Sequence, residues 1–136
     1  MERCCHATQA TLPYFPLRRE RRSARGGYTA SKWVLRGLSR SASLDLGERG
    51  IRASAVMPGI IGTPLVESAS PAFRGAALAE IPLGRIGEPS DIAPTIVFLV
   101  SDESSYYNGA ELVVDGGLTA HVSHKSIADA TRPPVR

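Results

Sequence analysis

Residues 51–59 read IRASAVMPG, a run of mostly apolar residues that Pro58 and Gly59 bring to an end. A short apolar run without polar alternation, closed by a Pro-Gly turn, is typical of a strand buried on both faces of a parallel sheet. Such a strand needs a neighbouring strand at each edge and helices over both faces, because its backbone and side chains are otherwise left uncovered. The stretch therefore predicts an α/β fold.

The sequence before this strand predicts a long helix. Apolar residues recur every three or four positions between about Thr29 and Glu48, and Gly50 is well placed to end the helix. The positions of this stripe are Leu35, Leu38, Ala42 and Leu46.

The sequence after the strand predicts further elements of an α/β fold. A short helix is expected near residues 71–80, and a longer one from Pro89 or Ser90, where the first turn also carries Asp91. The core stripe of the longer helix would comprise Ile92, Ile96, Leu99 and Val100. Residues 110–114 predict a last strand, which Asp115-Gly116-Gly117 ends.

Three segments divide the chain. Residues 1–27 are a basic leader without helical or strand periodicity, residues 28–118 carry all the patterned sequence, and residues 119–136 are expected to be a loose tail. Two strands and two long helices are few for an independent parallel sheet. We therefore expect that part of the fold is missing from this chain.

Tyr28-Thr-Ala-Ser-Lys32 places a phenol and an ammonium at positions i and i+4, on one face of a helix start. A phenol with a pKa near 10 is a poor acid or base at neutral pH, and lowering that pKa by about three units takes roughly 4 kcal/mol. A neighbouring ammonium has the right charge to stabilise the phenolate. The structural alternative is that Tyr28 packs and Lys32 extends to solvent.

Four motifs follow one another in a fixed order. They are YTASK at 28–32, PGIIGTP at 58–64, GRIGEPSDIA at 84–93 and SYYNGAELVVDGG at 105–117. In order and approximate spacing, residues 28–118 resemble the C-terminal half of a short-chain dehydrogenase/reductase. The resemblance implies a partial Rossmann-type doubly wound parallel sheet that lacks the N-terminal nucleotide-binding half.

The resemblance also implies an activity, namely NAD(P)-dependent hydride transfer between a cofactor and a small-molecule carbonyl or alcohol. Tyr28 would be the general acid or base, and Lys32 would lower the pKa of Tyr28 and bind the nicotinamide ribose. The other residues expected to contact the cofactor are Pro58, Gly59, Ile61 and Thr63. The cofactor would be NAD or NADP, and the segment from Val66 to Leu83 would cover the substrate.

The sequence departs from the family pattern upstream of Tyr28. No Gly-rich strand-turn-helix and no asparagine precede Tyr28, and the only upstream serine, Ser23, is five residues away, too close to match the family's catalytic serine. We therefore expect little or no dehydrogenase activity from this chain alone. The unpatterned leader also suggests a reading-frame error or an alternative start joined to a genuine gene end.

A non-catalytic remnant or an interaction protein is the alternative hypothesis. Residues 1–27 hold six arginines against two glutamates, whereas the rest of the chain holds ten basic and eleven acidic residues. The cluster at 18–22 could form a basic arm for nucleic acid. Because this charge belongs to an unpatterned leader and not to a folded face, a nucleic-acid partner is not the main expectation.

The remaining expectations concern location and assembly. No apolar run reaches the roughly 20 residues that cross a bilayer, so no membrane partner is expected. Adjacent Cys4 and Cys5 have poor geometry for a structural disulfide, which favours the cytoplasm. His121 and His124 lack accompanying metal ligands, so no metal site is expected. By resemblance, an intact protein would form a homo-oligomer.

Overall fold

A parallel sheet of three strands forms the centre of the computed structural model, which describes residues 5–9, 24–120 and 125–131. The strands are β1 (Cys5–Gln9), β2 (Arg52–Pro58) and β3 (Glu111–Val114), and β2 lies between the other two. Ala7 pairs with Ser54, and Val56 pairs with Leu112. Residues 53–58 are all buried, which confirms the prediction of a central strand covered on both faces.

Five α-helices and one 3-10 turn complete the described elements. The helices are α1 (Ala24–Gly47), α2 (Pro64–Glu67), α3 (Pro71–Glu80), α4 (Pro89–Val100) and α5 (Lys125–Thr131), and the 3-10 turn is Asp102–Ser104. The predicted bounds of α3 and the predicted start of α4 are confirmed. Each begins with a proline, whose fixed φ and missing amide hydrogen suit a first helical position.

Two elements lie in segments from which none was expected. Residues 5–9 form β1 within the leader, and residues 125–131 form α5 within the tail. Helix α1 also begins at Ala24, five residues before the predicted start. The first turn of α1 contains Gly26 and Gly27, which have poor helix propensity, so local pattern did not indicate that the helix extends through them.

Helix α1 contacts the sheet through Leu35 and buries two small polar side chains. Leu35 packs against Ala55 and Met57 of β2, as the predicted stripe requires. Within residues 26–47, the part of α1 whose burial is described, the fully buried positions are Ser39 and Ser43, whose hydroxyls donate to carbonyls of the preceding turn. Leu38 is 59% exposed, so its predicted place in the core stripe is wrong. The prediction ranked residues by hydrophobicity, whereas a serine can be buried on a helix when its hydroxyl bonds to a carbonyl of the preceding turn.

The chain divides into two compact units. One contains the sheet, α1 and most of α4, comprising the described residues up to Pro58 together with Ser90–Val114. The other contains Gly59–Pro89 and the described residues from Asp115 onward, including α3 and α5. In the first unit Leu99 is buried, whereas Val100 is 53% exposed, so the predicted core stripe of α4 is wrong at its last position.

Arg52 closes the C-terminal end of α4. Its two terminal nitrogens donate to backbone carbonyls at distances of 2.8–3.3 Å, and one also donates to the Ser104 hydroxyl. The four carbonyls belong to Leu99, Ser101, Ser104 and Tyr107. A cation at a helix C-terminus satisfies carbonyls that have no intrahelical partner and interacts favourably with the helix dipole. The first residue of β2 therefore anchors α4 and the turn that follows it.

Asn108 connects α1 to β2. Its side-chain oxygen accepts a hydrogen bond from the Ala53 amide at 3.0 Å, and its side-chain nitrogen donates to the Ser43 carbonyl at 2.9 Å. Gly109 then donates its amide to the Ala53 carbonyl at 2.7 Å. These bonds satisfy backbone groups at the start of β2, before the pairing with β3 begins at Ala55.

We expect Arg52→Ala to lower the free energy of unfolding by about 2–3 kcal/mol, since it removes several charge-assisted hydrogen bonds to the end of α4 and the turn after it. Urea unfolding followed by circular dichroism measures this change. Arg49→Ala is the matched control, because Arg49 is exposed in the same unit, and it should shift stability by under about 0.5 kcal/mol. Equal losses in the two variants would contradict the role given to Arg52.

Candidate active site

Tyr28 and Lys32 lie together on the first turns of α1, as their spacing predicts. The Lys32 ammonium nitrogen is 5.5 Å from the centroid of the Tyr28 ring. The Tyr28 side chain is half exposed, and Lys32 is partly buried. The pair therefore offers a phenol and a cation, side by side, on a surface that a ligand can reach.

The helix around the pair is held by local contacts. The Ser31 hydroxyl donates to the Tyr28 carbonyl at 2.7 Å, which satisfies a backbone group in the first part of the helix. The Arg36 guanidinium stacks over the Trp33 ring at 4.3 Å from its centroid. Trp33 directly follows Lys32 and is the only tryptophan in the chain.

One turn beyond Lys32, Arg36 forms an ion pair with Glu111 at the start of β3. The two contacts involve both carboxylate oxygens, with Nε to Oε1 at 3.1 Å and Nη2 to Oε2 at 2.5 Å. The two side chains are only 17% and 16% exposed. The Nε of Arg40 lies 3.4 Å from the same carboxylate, although Arg40 itself is largely exposed.

This pair changes the protonation behaviour of both partners. The hydrogen bond from Arg36 holds the pKa of Glu111 below its ordinary value, and the nearby positive charges of Arg36 and Arg40 add to the effect against the opposing cost of burial. The same hydrogen bond raises the pKa of Arg36 above its already high ordinary value. Both groups therefore stay charged at neutral pH.

The other predicted cofactor residues lie at the end of β2 and in the segment that follows it. Pro58 is buried as the last residue of the strand, Ile61 is partly buried, and Thr63 is exposed. Gly87 donates its amide to the Ile60 carbonyl and accepts from the Gly62 amide, in a parallel bridge opposite Ile61. This bridge uses neither the amide nor the carbonyl of Ile61.

Thr63 occupies the N-cap position of α2, but its hydroxyl makes no capping hydrogen bond to that helix. An exposed hydroxyl that does not cap its helix is available to a ligand. Gly59, by contrast, is packed against Asp115, since a Cβ at Gly59 would lie 2.7 Å from the Asp115 Cα. Position 59 therefore requires glycine, because any side chain would overlap this backbone.

Asp115 organises the turn after β3. Its carboxylate accepts hydrogen bonds from the amides of Gly117 and Thr119, each at 2.8 Å, and from the Thr119 hydroxyl at 2.6 Å. Gly116 has a φ of +65°, and a Cβ there would meet Ile81 at 2.9 Å. The Asp-Gly-Gly motif thus does more than end a strand. Its turn is held by hydrogen bonds to the Asp115 carboxylate and packs closely on Ile81.

The structure brings Tyr28 and Lys32 into contact distance, and separately holds Gly59, Ile61 and Thr63 in one segment of the second unit. Two interacting residues were missed by the sequence prediction, namely Glu111 and Asp115. Asp115 could have been found from the Asp-Gly-Gly turn chemistry. Glu111 could not, since its partner is 75 positions away.

Several sequence features fall outside the described residues. These are Ser23, the basic cluster at 18–22, His121 and His124. Among the residues that the structure describes, no three histidine, cysteine, aspartate or glutamate side chains come together as a potential metal site. Within the same residues, no helix combines the length and apolar character needed to cross a lipid bilayer.

The parallel sheet with helices and the Tyr-Lys pair together define a Rossmann-type α/β architecture, of which this chain forms a part. A family model described as Enoyl-(Acyl carrier protein) reductase matches residues 17–119. This match covers more than half of the chain. The chain therefore belongs to the short-chain dehydrogenase/reductase family.

Individual relatives agree with the family match. A 3-alpha-(or 20-beta)-hydroxysteroid dehydrogenase of Mycobacterium bovis is 43% identical over 98 residues, which are 72% of this chain and 36% of that protein. A solved 4-hydroxyisoleucine dehydrogenase mutant, complexed with NADH and succinate, matches with a TM-score of 0.77 at 30% identity and covers 89% of this chain and 49% of its own.

A second solved structure, a putative 2-deoxy-D-gluconate 3-dehydrogenase of Agrobacterium tumefaciens with bound NADP, has a TM-score of 0.76 at 36% identity. The match covers 86% of this chain and 47% of that one. The chain thus spans about a third of the sequence relative and about half of each structural relative.

We expect Gly59→Ala to destabilise the second unit by about 1–3 kcal/mol, because the new methyl group overlaps the backbone of Asp115. Gly75→Ala in α3 is the matched control, since a Cβ there meets nothing within 4 Å. That control should gain about 0.5–1 kcal/mol of helix stability. Thermal unfolding measures both, and a neutral Gly59→Ala would show that the packing against Asp115 is not required.

The Arg36–Glu111 pair also predicts a pH dependence. Because the pKa of folded Glu111 is lowered from 4.5, the pair contributes its full stability above that value, and the contribution is lost as pH falls through the folded pKa. Glu111→Gln should therefore cost about 1 kcal/mol at pH 7 and flatten the loss of stability on acidification. Urea unfolding at several pH values between 7 and 3 tests this.

Arg36→Met should flatten the same pH profile, and combining the two substitutions should cost little more than either alone, because each removes the same interaction. Additive losses in the double variant would mean that the pair is not energetically coupled.

Proposed function

We propose that this chain carries the proton-transfer residues of a nicotinamide-dependent oxidoreductase that interconverts a small-molecule carbonyl and an alcohol. The observation that carries the proposal is the Tyr28–Lys32 pair, with an ammonium beside a half-exposed phenol on a helix of a family member. The bound NADH and NADP named for the structural relatives support a nicotinamide cofactor without distinguishing between the two.

The residues present fit such a cofactor. Lys32 offers three donors to the hydroxyl groups of a sugar, and Thr63 exposes a hydroxyl that does not cap its helix. Ile61 has a peptide group that its bridge to Gly87 does not use. Taken separately, the first unit offers a donor that suits a ribose hydroxyl, and the second unit offers a hydroxyl and a peptide group that suit a carboxamide. When bound, the cofactor supplies or accepts the hydride.

The chain's own contribution is the proton. In carbonyl reduction the Tyr28 hydroxyl donates its proton to the substrate oxygen, and in alcohol oxidation the phenolate accepts that proton. The Lys32 ammonium stabilises the negative charge that Tyr28 carries between these states. The relatives' names include a steroid alcohol, an amino acid and a sugar acid, so the substrate class stays at carbonyl or alcohol.

The chain alone is proposed to turn over slowly or not at all. It spans about a third of its curated relative, and the sequence contains neither a Gly-rich phosphate turn nor an upstream asparagine. Losing one hydrogen-bond donor to the developing charge costs about a hundredfold to a thousandfold in rate. Binding is therefore a more sensitive measure of the site than catalysis.

We expect NADH to quench Trp33 emission and to show sensitised emission of its own, because the reduced nicotinamide absorbs where tryptophan emits and Trp33 adjoins Lys32. Titration with NADH and with NADPH measures affinity for each cofactor. Lys32→Met should abolish the signal. Lys125→Met, which changes the only other lysine, should leave the signal unchanged.

Equal quenching in wild type and Lys32→Met would count against the site. The same preparation should show little or no carbonyl reduction with either cofactor. Robust reduction would contradict the expected inactivity, and its persistence in Tyr28→Phe would exclude Tyr28 as the acid.

A further inference from the structure

We propose that Asp115 is the positioning residue of a lid, the segment 63–80 that carries α2 and α3. Asp115 shapes a turn that holds both ends of this lid, so that the lid opens and closes about the turn. That the lid covers a substrate rests on the proposed function, whereas its attachment to Asp115 does not.

Both ends of the lid meet at the same turn. Before the lid, Gly59 lies so close to Asp115 that a Cβ on the glycine would be 2.7 Å from the Asp115 Cα. After the lid, the Leu83 amide donates to the Gly116 carbonyl at 3.2 Å, and a Cβ on Gly116 would meet Ile81 at 2.9 Å. The chain therefore leaves the turn before α2 and returns to it after α3.

One carboxylate determines the shape of this turn. Asp115 accepts three hydrogen bonds, from the amides of Gly117 and Thr119 and from the Thr119 hydroxyl. Gly116 and Gly117 have φ angles of +65° and +86°, a region that glycine adopts without strain. An aspartate that bonds amides just after it in the chain stabilises such a turn. Loss of the carboxylate should therefore loosen the contacts at both ends of the lid.

A backbone bridge also joins the two ends. The Gly62 amide donates to the Gly87 carbonyl at 2.8 Å, and the Gly87 amide donates to the Ile60 carbonyl at 2.9 Å. The bridge, the turn and the lid all belong to the second compact unit. Residues 59–62 and 81–87 thus form a bonded frame around the base of the lid.

The lid itself is weakly held. Within its two helices, α2 has no buried residue, and Ala77 is the buried residue of α3. Helices shorter than about 12 residues are marginal on their own. Local opening costs least where few apolar groups are buried. The lid is therefore expected to open while its frame stays bonded.

An exposed leucine favours closure over a ligand. The Leu65 side chain is 82% exposed, and it lies two residues after Thr63, whose hydroxyl does not cap α2. Removing an apolar side chain from water is favourable. On the proposed function, a ligand bound at Thr63 would offer Leu65 a surface to cover and so favour the closed lid.

Thiol labelling measures lid opening without a cofactor. Ala77→Cys puts a thiol at a buried position of α3, where a chromogenic thiol reagent can react when the lid opens. The native thiols are removed by Cys4→Ser and Cys5→Ser. In the same background, Ala55→Cys reports unfolding of the other compact unit, since Ala55 is fully buried in β2.

We expect Asp115→Ala to speed labelling at position 77 at least about tenfold, because the lost hydrogen bonds no longer hold the turn. Labelling at position 55 should not change. Asp115→Asn keeps one acceptor oxygen and should give an intermediate rate. Ser68→Ala is the control within the lid, because it removes an exposed hydrogen bond to the Leu65 carbonyl and leaves the turn intact. It should label at the wild-type rate.

The shared anchor also makes a prediction from the other end of the lid. Gly59→Ala displaces the Asp115 backbone, so it should speed labelling at position 77 although α2 lies between the two positions. Gly62→Ala is the matched control, since a Cβ there would lie 3.5 Å from the Gly87 carbonyl oxygen, an ordinary contact. It should leave the labelling rate unchanged.

Circular dichroism establishes that each variant is folded. Unchanged labelling at position 77 in either Asp115→Ala or Gly59→Ala would overturn the proposal. Equal acceleration at position 55, or in Ser68→Ala, would also overturn it, because opening would then not depend specifically on the turn.

The outcome is independent of the cofactor experiment. If NADH fails to quench Trp33 while labelling at position 77 depends on Asp115, the proposed function fails and the anchoring role stands. If NADH binds through Lys32 and labelling is insensitive to Asp115, the proposed function stands and the anchoring role is wrong.

Discussion

The burial of β2 is the constraint on which the described structure depends. Every residue from Ala53 to Pro58 is buried, and the strand is paired on both edges. A strand in this position must have its side chains covered and its backbone groups bonded along its whole length. At the start of the strand, the Asn108 side chain accepts the hydrogen bond of the Ala53 amide. Arg52, the first residue of the strand, binds the end of α4. The strand is thus the point at which sheet, α1 and α4 are joined.

The sequence predicted the elements that have strong local patterns, and it missed those that depend on distant partners. The apolar run at 51–57 and the prolines at 71 and 89 identify β2, α3 and α4 without any tertiary information. The buried serines of α1 are different, because polarity argues for exposure, whereas the structure buries them with their hydroxyls bonded to carbonyls of the preceding turn. Hydrophobic periodicity therefore placed Leu38 in the core, although it faces solvent.

The same distinction applies to the site. Tyr28 and Lys32 are four residues apart on one helix, so helical geometry alone brings them together. Glu111 is a charged residue near the start of a predicted strand, where nothing in the neighbouring sequence indicates a buried partner. Its pairing with Arg36 exists only after the sheet has placed β3 beside β2 and α1 over both. A single sequence shows two residues that one helix brings together, whereas the structure is needed to show a pair as distant in sequence as Arg36 and Glu111.

The difference between local and distant contacts matters for a chain that spans about a third of the hydroxysteroid dehydrogenase that it matches. Tyr28 and Lys32 lie within two helical turns of α1, and Arg36 on the same helix pairs with Glu111 of β3 within the same compact unit. Nucleotide recognition in a Rossmann-type fold is instead distributed over a Gly-rich turn, a helix N-terminus and later loops. The geometry of Tyr28 and Lys32 can persist in a short chain because the two residues are near each other in sequence. Nucleotide binding instead weakens with each of its distributed elements that is absent. The two properties are therefore separable, and the presence of the pair is evidence of ancestry and local geometry before it is evidence of turnover.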